Sequence, residues 1–475
     1  MHNHLSKTQK LILSCLPLLS GLAGFAMASA MSFPDSLFAC ICMYTLNYQD
    51  TPPNLLVELA RWTAPMVTAS SLLLAFTAAH DRLANALCYR RGHCTAVYGP
   101  EQEKEVLLSQ LGRNGIDGKE RFVRAQKYIL LNNEADNFSF YRSNRQALAQ
   151  SDVYLQCHSL PAQSVSAPNL HLFCPEETAA RLFWKEFCLY PASVSCGHRL
   201  NIVFLGFGQL GEELLRFGLQ HNLFHPQQQL HYHIFGDGAA FCALHTELSS
   251  IEDSITFHKE PWYAQLSLFN EAHMVVVVAQ NDQLALCRSL LFAARCSNVH
   301  VFADNPDALA LLEHPHRLTI FDWKKASCDI SCISGDLLFW RAKQINLRYA
   351  VLYGGAQESD KVCEAEWMKL DAFTRYSNIS AADYHDVRLA MLSAMNQPAD
   401  AQGLSPDCLE LLSQLEHMRW CRYHYLNNWS YAEAEDGVRK NKDRRVHADL
   451  IPWENLDNNA KEKDRENIRV LLSVK

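Results

Sequence analysis

The sequence predicts an α/β protein built of several parts. These are a two-helix transmembrane hairpin, two tandem doubly wound parallel sheets of which the first is degenerate, and a C-terminal, mainly helical module. Three observations carry that expectation. Two long runs near the start hold no charge. The stretch "NIVFLGFGQLGEELLRF", from Asn201 to Phe217, joins an apolar run to a helical one through glycines. Apolar runs of strand length alternate with helix-length patterns through the middle of the chain.

The first uncharged run is Leu11 to Ser32 and the second is Trp62 to His80, each long enough to span a bilayer. Lys7 and Lys10 precede the first, and Arg82, Arg90 and Arg91 follow the second. Positive flanks at both outer ends place both termini in the cytosol. A signal peptide cleaved in "AMASA" and a buried soluble hairpin are the rival readings of this region. The connector "FPDSLFACICMYTLNY", Phe33 to Tyr48, suits a short re-entrant helix, as in the simplest cation pores. The following "QDTPPNLL" lacks the TVGYG-like run on which potassium selectivity rests. An anchor without a pore is therefore the plainer reading.

The soluble part opens with residues 93–197, a worn α/β unit. "CTAVYG", "KYILLNN", "DVYLQCHS" and "NLHLFC" read as strands, and "PEETAARLFWKEF" as a helix. One glycine stands where a phosphate loop needs three, so no ligand is expected here. Residues 198–350 are cleaner. "LNIVFLG", "LHYHIF", "SITFHK", "HMVVVVA", "NVHVFAD" and "LTIFDW" are strands. "HMVVVVA" is continuously apolar, as a strand covered on both faces requires.

The glycines have local reasons. Gly206 permits a tight turn, Gly208 lets backbone approach a pyrophosphate, and Gly211 lets the helix pack closely on the sheet. The helix N-terminus offers oriented N–H groups to phosphate. Asp237, at the end of the next strand, is placed to accept from ribose hydroxyls. Gly206, Gly208, Gly211 and Asp237 thus form the expected site for NAD(H) or another adenine nucleotide. Glu212 and Glu213 follow at once and would repel phosphate if they turned inward.

Other chemistry is sparse. The net charge of −8 gives no footprint for nucleic acid. The 17 cysteines show no paired CxxC spacing, so no metal site is expected and they read as reduced, buried side chains. His231, His233, His245, His258 and His273 have no catalytic partner by spacing, and no GxSxG, HExxH or Walker sequence occurs. The chain is not expected to be an enzyme.

Two short transmembrane segments followed by tandem Rossmann-like units resemble the regulatory NAD-binding domains of potassium channels and Trk-type transporters, the RCK or KTN class. The phosphate loop at Gly206, Gly208 and Gly211 carries that resemblance. The first unit departs from the pattern. The resemblance implies gating by a nucleotide or ion, assembly into dimers or tetramers, and a bacterial inner-membrane location with multiple passes.

Residues 360–475 carry a second resemblance. Glu416, His417 and Trp420 form E-H-x-x-W, Trp429 and Tyr431 form N-W-x-Y, His447 to Trp453 form H-x-D-L-I-P-W, and K-x-x-D-R ends at Arg465. This pattern is similar to the ryanodine-receptor repeat domain, with "DAFTRYSNISAADYHDVRL" as its first helical region. Leu411, Leu415, Met418 and Arg422 share a helix face. Trp429, Tyr431, Trp453 and Arg465 are the candidate residues for a ligand groove here, by stacking and phosphate pairing. Together the parts suggest a nucleotide-sensing, channel-like gate. A membrane-tethered NAD(P)-dependent or nucleotide-cleaving enzyme, and a scaffold binding a partner through the C-terminal module, are the alternatives.

Overall fold

The computed structural model describes residues 7–28, 31–47, 54–119, 121–165, 167, 169–279, 281–312 and 315–474. The chain forms two compact units, Met1–Gly92 and His93–Lys475.

The first unit is three helices: α1 (Lys7–Ala28), α2 (Phe33–Tyr44) and α3 (Leu55–Arg90). Ser32 caps α2 by accepting from Asp35 N–H, and Asn54 caps α3 by accepting from Leu56 N–H at 2.8 Å. Gly24 brings α1 against α3, since a Cβ there would sit 2.6 Å from Val57 Cγ2 and 2.8 Å from its backbone N. Phe25, Cys40, Met43, Val57 and Ala60 fill the contact among the three helices.

Among the described residues, α3 is the one helix long and apolar enough to cross a bilayer. Its 36 residues rise about 54 Å, well beyond a hydrocarbon core of about 30 Å. Leu72, Leu73, Leu74 and Phe76 are exposed along it. The sequence expects two spans; among the described residues α3 alone has the length and composition for one. The described apolar part of α1, Ser14–Ala28, falls short of that length. Residues 29–30, within the "AMASA" run, and 48–53, where a filter would follow the connector, lie outside the described residues.

The second unit is α/β, with two parallel sheets of five and six strands. The first sheet holds β1 (Thr95–Tyr98), β2 (Gly115–Asp117), β3 (Lys127–Leu130), β4 (Asp152–Gln156) and β5 (Leu170–Phe173) in the order β2-β1-β3-β4-β5. The three-residue β2 escapes the sequence reading. Between these strands run α4 (Glu101–Leu111) and α5 (Glu134–Ser143). Buried Asn137 ties the ends of two strands together, its Nδ2 lying 3.2 Å from the Leu130 carbonyl oxygen and 3.1 Å from that of Gln156.

The second sheet holds β6 (Arg199–Leu205), β7 (Gln229–Phe235), β8 (Ser254–Phe257), β9 (Met274–Val277), β10 (Val299–Phe302) and β11 (Leu318–Phe321). Their order is β11-β10-β9-β6-β7-β8, so the chain reverses direction across the sheet between β6 and β9. The helices α6 (Pro175–Glu186) and α7 (Gly208–His221) pack together, and Trp184 Nε1 donates to the Leu214 carbonyl at 2.8 Å.

The longer helices that follow are α8 (Gln283–Ala293), α9 (Asp336–Gly354), α10 (Asp360–Lys369), α11 (Ala372–Asp383), α12 (His385–Ala394), α13 (Pro406–Leu426) and α14 (Asn458–Ser473), with shorter helical turns and a small three-stranded sheet between elements. The amphipathic stretch from Leu456 to Leu472 buries Leu456, Ala460, Ile468, Leu471 and Leu472, as its spacing requires. One hydrophobic cluster runs from Trp184 and Ile202 through Leu214 and Tyr384 to Leu412 and Ile468. Buried ions fasten the same junctions. Arg181 on α6 binds both oxygens of Asp383 on α11, at 2.7 and 2.9 Å. Arg422 on α13 donates to Asp253 at 2.6 Å, to Glu252 at 3.2 Å and to the Leu219 carbonyl at 2.9 Å.

Candidate functional site

A cleft of about 760 Å³ opens at the carboxyl ends of β6, β7 and β8. It lies beside the point where strand order reverses, the place where open parallel sheets bind ligands. Its volume is that of a small-molecule site.

Gly206 and Asp237 both line this cleft. Gly206 has φ +90°, and its N–H donates to the Phe235 carbonyl at 3.0 Å. A Cβ at Gly206 would meet Ala279 N at 2.6 Å and Ala279 Cα at 2.8 Å. The missing side chain thus lets the turn after β6 close upon the backbone after β9. Asp237 is exposed, and its Oδ1 accepts from Ala239 N–H at 3.0 Å, fixing the loop after β7.

The other two glycines lie apart from the cleft wall. Gly208, φ +57°, is the first residue of α7 and has open space on its side-chain side. Gly211 meets the ring of Phe207, whose Cδ2 would lie 2.8 Å from an added Cβ. The packing reason expected for Gly211 therefore concerns its own loop, not the sheet. Phe207 is buried edge-on against Phe241 and Phe257, at 5.6 and 5.1 Å between centroids. Glu213 pairs with Arg216 at 2.8 Å.

Sequence reasoning missed His258, Lys259 and Trp262, which complete the wall below β8. His258 and Lys259 close "SITFHK" just past the strand and Trp262 follows, much as Asp237 follows "LHYHIF", and that parallel is the available signal. His258 stacks on Phe235 at 4.5 Å and faces His233, with 3.1 Å between ring nitrogens. Burial lowers the His233 pKa, and neighbouring His258 adds to the effect.

In comparison with known proteins, no family model, no curated protein and no solved structure matches the chain.

The four C-terminal candidates have different surroundings. Trp429 is buried and stacks on Phe373 at 5.0 Å, with Lys440 Nζ 4.9 Å from its ring centroid. Tyr431 is exposed on a two-residue strand, Ser430–Tyr431. Trp453 belongs to a different cluster, with Leu456 and Ala460. Its Nε1 donates to Glu410 Oε1 at 3.2 Å, and Arg465 Nε donates to Glu410 Oε2 at 2.8 Å. Arg465 also pairs with Glu462 at 3.1 Å, so two carboxylates adjoin the guanidinium that the sequence offers to phosphate.

The E-H-x-x-W segment holds buried charge. Glu416 sits between Arg388 and Arg419, and Arg419 grips both its oxygens, at 2.7 and 3.0 Å. His417 lies 3.2 Å from Asp464 through Nδ1 and 2.9 Å from the Ile451 carbonyl through Nε2. Cys421 Sγ is 3.4 Å from the same Nε2. The contact order is that of a Cys–His–Asp triad, yet Cys421 is buried and Ile451 claims the nitrogen that would serve as base. With two acceptors on its two nitrogens, His417 is held as the imidazolium.

Burial opposes the His417 charge, but hydrogen bonds to Asp464 and Cys421 outweigh it and push the pKa up to about 11. A raised folded-state pKa stabilises fully below the unfolded value of 6.5, and that contribution fades as pH rises towards 11. Melting temperature measured across this range should fall with pH more steeply in the wild type than in His417→Gln.

Proposed function

We propose that the chain is a nucleotide-responsive membrane protein. In this reading α3 attaches it to the membrane, and an adenine nucleotide such as NAD(H) occupies the cleft at the second sheet. The observation that carries the reading is the shared wall of Gly206 and Asp237 at the strand-order reversal. Numbered within its own segment, the second sheet runs 3-2-1-4-5-6, which supports a Rossmann-like unit, and the first runs 2-1-3-4-5, which supports a doubly wound sister. Asp237 receives ribose hydroxyls, Lys259 offers charge to phosphate, and Trp262 and the stacked His258 offer flat surfaces to a base.

The C-terminal module is read as ryanodine-receptor-like, with Glu416 and His417 serving its own fold. Arg422 connects it both to Asp253, which precedes β8, and to the last turn of α7. The cleft wall and the module thereby share a mechanical path. A ligand shifts such a system only by binding its two states differently. The gate itself, a homo-oligomer held in the bacterial inner membrane by α3, belongs to the proposal.

Liposomes carrying the full chain should pass ions in response to an added adenine nucleotide. A folded, nucleotide-binding protein that passes none under any nucleotide would remove the gate and leave a sensor. Turnover of NAD(P)(H) that disappears on Gly208→Ala would replace sensing by catalysis.

A further inference from the structure

The first sheet, from which no ligand is expected, gathers a set of metal-ligand atoms at the carboxyl ends of β4 and β5. A ring nitrogen of His158, Sγ of Cys174 and a carboxylate oxygen of Glu176 all lie within 4.8 Å of one another. His158 Nδ1 is 2.9 Å from Glu176 Oε2, and Cys174 Sγ is 3.4 Å from the same oxygen. Tetrahedral zinc with ordinary bond lengths separates its nitrogen and oxygen ligands by about 3.4 Å, and sulfur and oxygen by about 3.6 Å. A small outward movement of the three groups admits an ion.

We propose that His158, Cys174 and Glu176 bind a zinc ion, with a fourth position open to solvent or to a ligand.

Four features favour this beyond proximity. First, the donor set is mixed nitrogen, sulfur and carboxylate, which suits zinc and not the oxygen-seeking magnesium or calcium. Second, Cys174 and Glu176 are buried, so their polar atoms meet each other and His158 rather than bulk water.

Third, the ring has an outer partner. His158 Nε2 lies 3.1 Å from the Gln156 amide. With zinc on Nδ1, Nε2 carries the proton and the amide turns its oxygen towards it, the support that metal-binding histidines ordinarily have. The backbone is fixed as well: Glu134 accepts from His158 N–H at 3.1 Å and Gln209 Nε2 donates to the His158 carbonyl at 2.6 Å.

Fourth, a cavity adjoins two of the three groups, His158 and Glu176. It has a volume of about 80 Å³ and is also lined by Gln156, Glu103 and Lys324. The Lys324 charge is engaged by Asp304 at 3.0 Å. On binding, the Cys174 thiol and the His158–Glu176 pair release protons to solvent. Gln209 is the second residue of α7, so the site touches the helix that begins at the glycine loop.

Cobalt(II) titrated into the reduced, metal-stripped full chain in detergent tests the site. The expected result is a near-ultraviolet thiolate-to-cobalt absorption that saturates at one equivalent and is displaced by zinc. Cys174→Ala should abolish it. His158→Gln, at a half-buried position that tolerates change, should weaken cobalt binding by about 10-fold or more, at least the loss seen when an outer partner is removed. If Cys174→Ala fails to fold, His158→Gln decides alone. No absorption in the wild type, or absorption and affinity unchanged in the variants that fold, would overturn the proposal.

Discussion

Arg422→Ala is expected to destabilise the His93–Lys475 unit by about 3–5 kcal/mol, the cost of breaking a buried ion pair from one side. Arg422 and Asp253 are both fully buried, and the guanidinium also satisfies the Leu219 carbonyl. Removing it strands the Asp253 carboxylate away from water. Burial already works to raise the Asp253 pKa, and Arg422 is the chief group opposing that rise. The variant should therefore melt several degrees lower and regain part of the loss under acid, where Asp253 takes a proton. Arg422→Met with Asp253→Leu should recover most of the stability, because the pair is replaced by apolar packing. Equal loss in the single and double variants would mean that packing, not stranded charge, sets the cost.

The second large effect is expected at Gly206. Alanine there must hold φ +90° and place its Cβ within 2.8 Å of two backbone atoms of Ala279. Left-handed backbone alone costs about 1–2 kcal/mol. The clash adds more, because backbone between β6 and β9 has no rotamer by which to escape. A total of about 3 kcal/mol or more is expected, with nucleotide affinity reduced beyond measurement. Gly208→Ala is the control: φ is +57°, but nothing lies within 4 Å of the added atom, so only the backbone term applies. Melting curves and nucleotide titrations of the two variants side by side check the contrast.

The second sheet was largely legible in the sequence. Its six strands are apolar runs with clear ends, and the glycine loop announces the turn at Gly206. Asp237 was legible because it follows a strand at the expected distance. What escaped depends on contacts distant in sequence. Strand β2 has only three residues, Gly115–Asp117, and gains its pattern from pairing beside β1. His258 and Trp262 reach the cleft because β8 lies next to β7, an adjacency no local pattern encodes. His158 and Cys174 meet because β4 and β5 are neighbours, while their spacing along the chain resembles no metal motif. Trp429 and Trp453 look like members of one aromatic groove in sequence, yet each is buried in its own cluster. Composition read the apolar run of α1 as a full span, whereas its described apolar part is shorter than a bilayer.

The central claim is that an adenine nucleotide binds beside Gly206 and Asp237. Its most direct measurement is a calorimetric titration of the full chain in detergent with NAD, NADH, ADP-ribose, ATP and ADP, with Asp237→Asn in parallel. Asparagine keeps an oxygen for Ala239 N–H while removing the charge offered to ribose. The account predicts saturable binding of at least one of these nucleotides, weakened about 10-fold or more by Asp237→Asn, the cost of losing a charged hydrogen bond. Folded wild-type protein that binds none of them, or binds with the same affinity in Asp237→Asn, would contradict it.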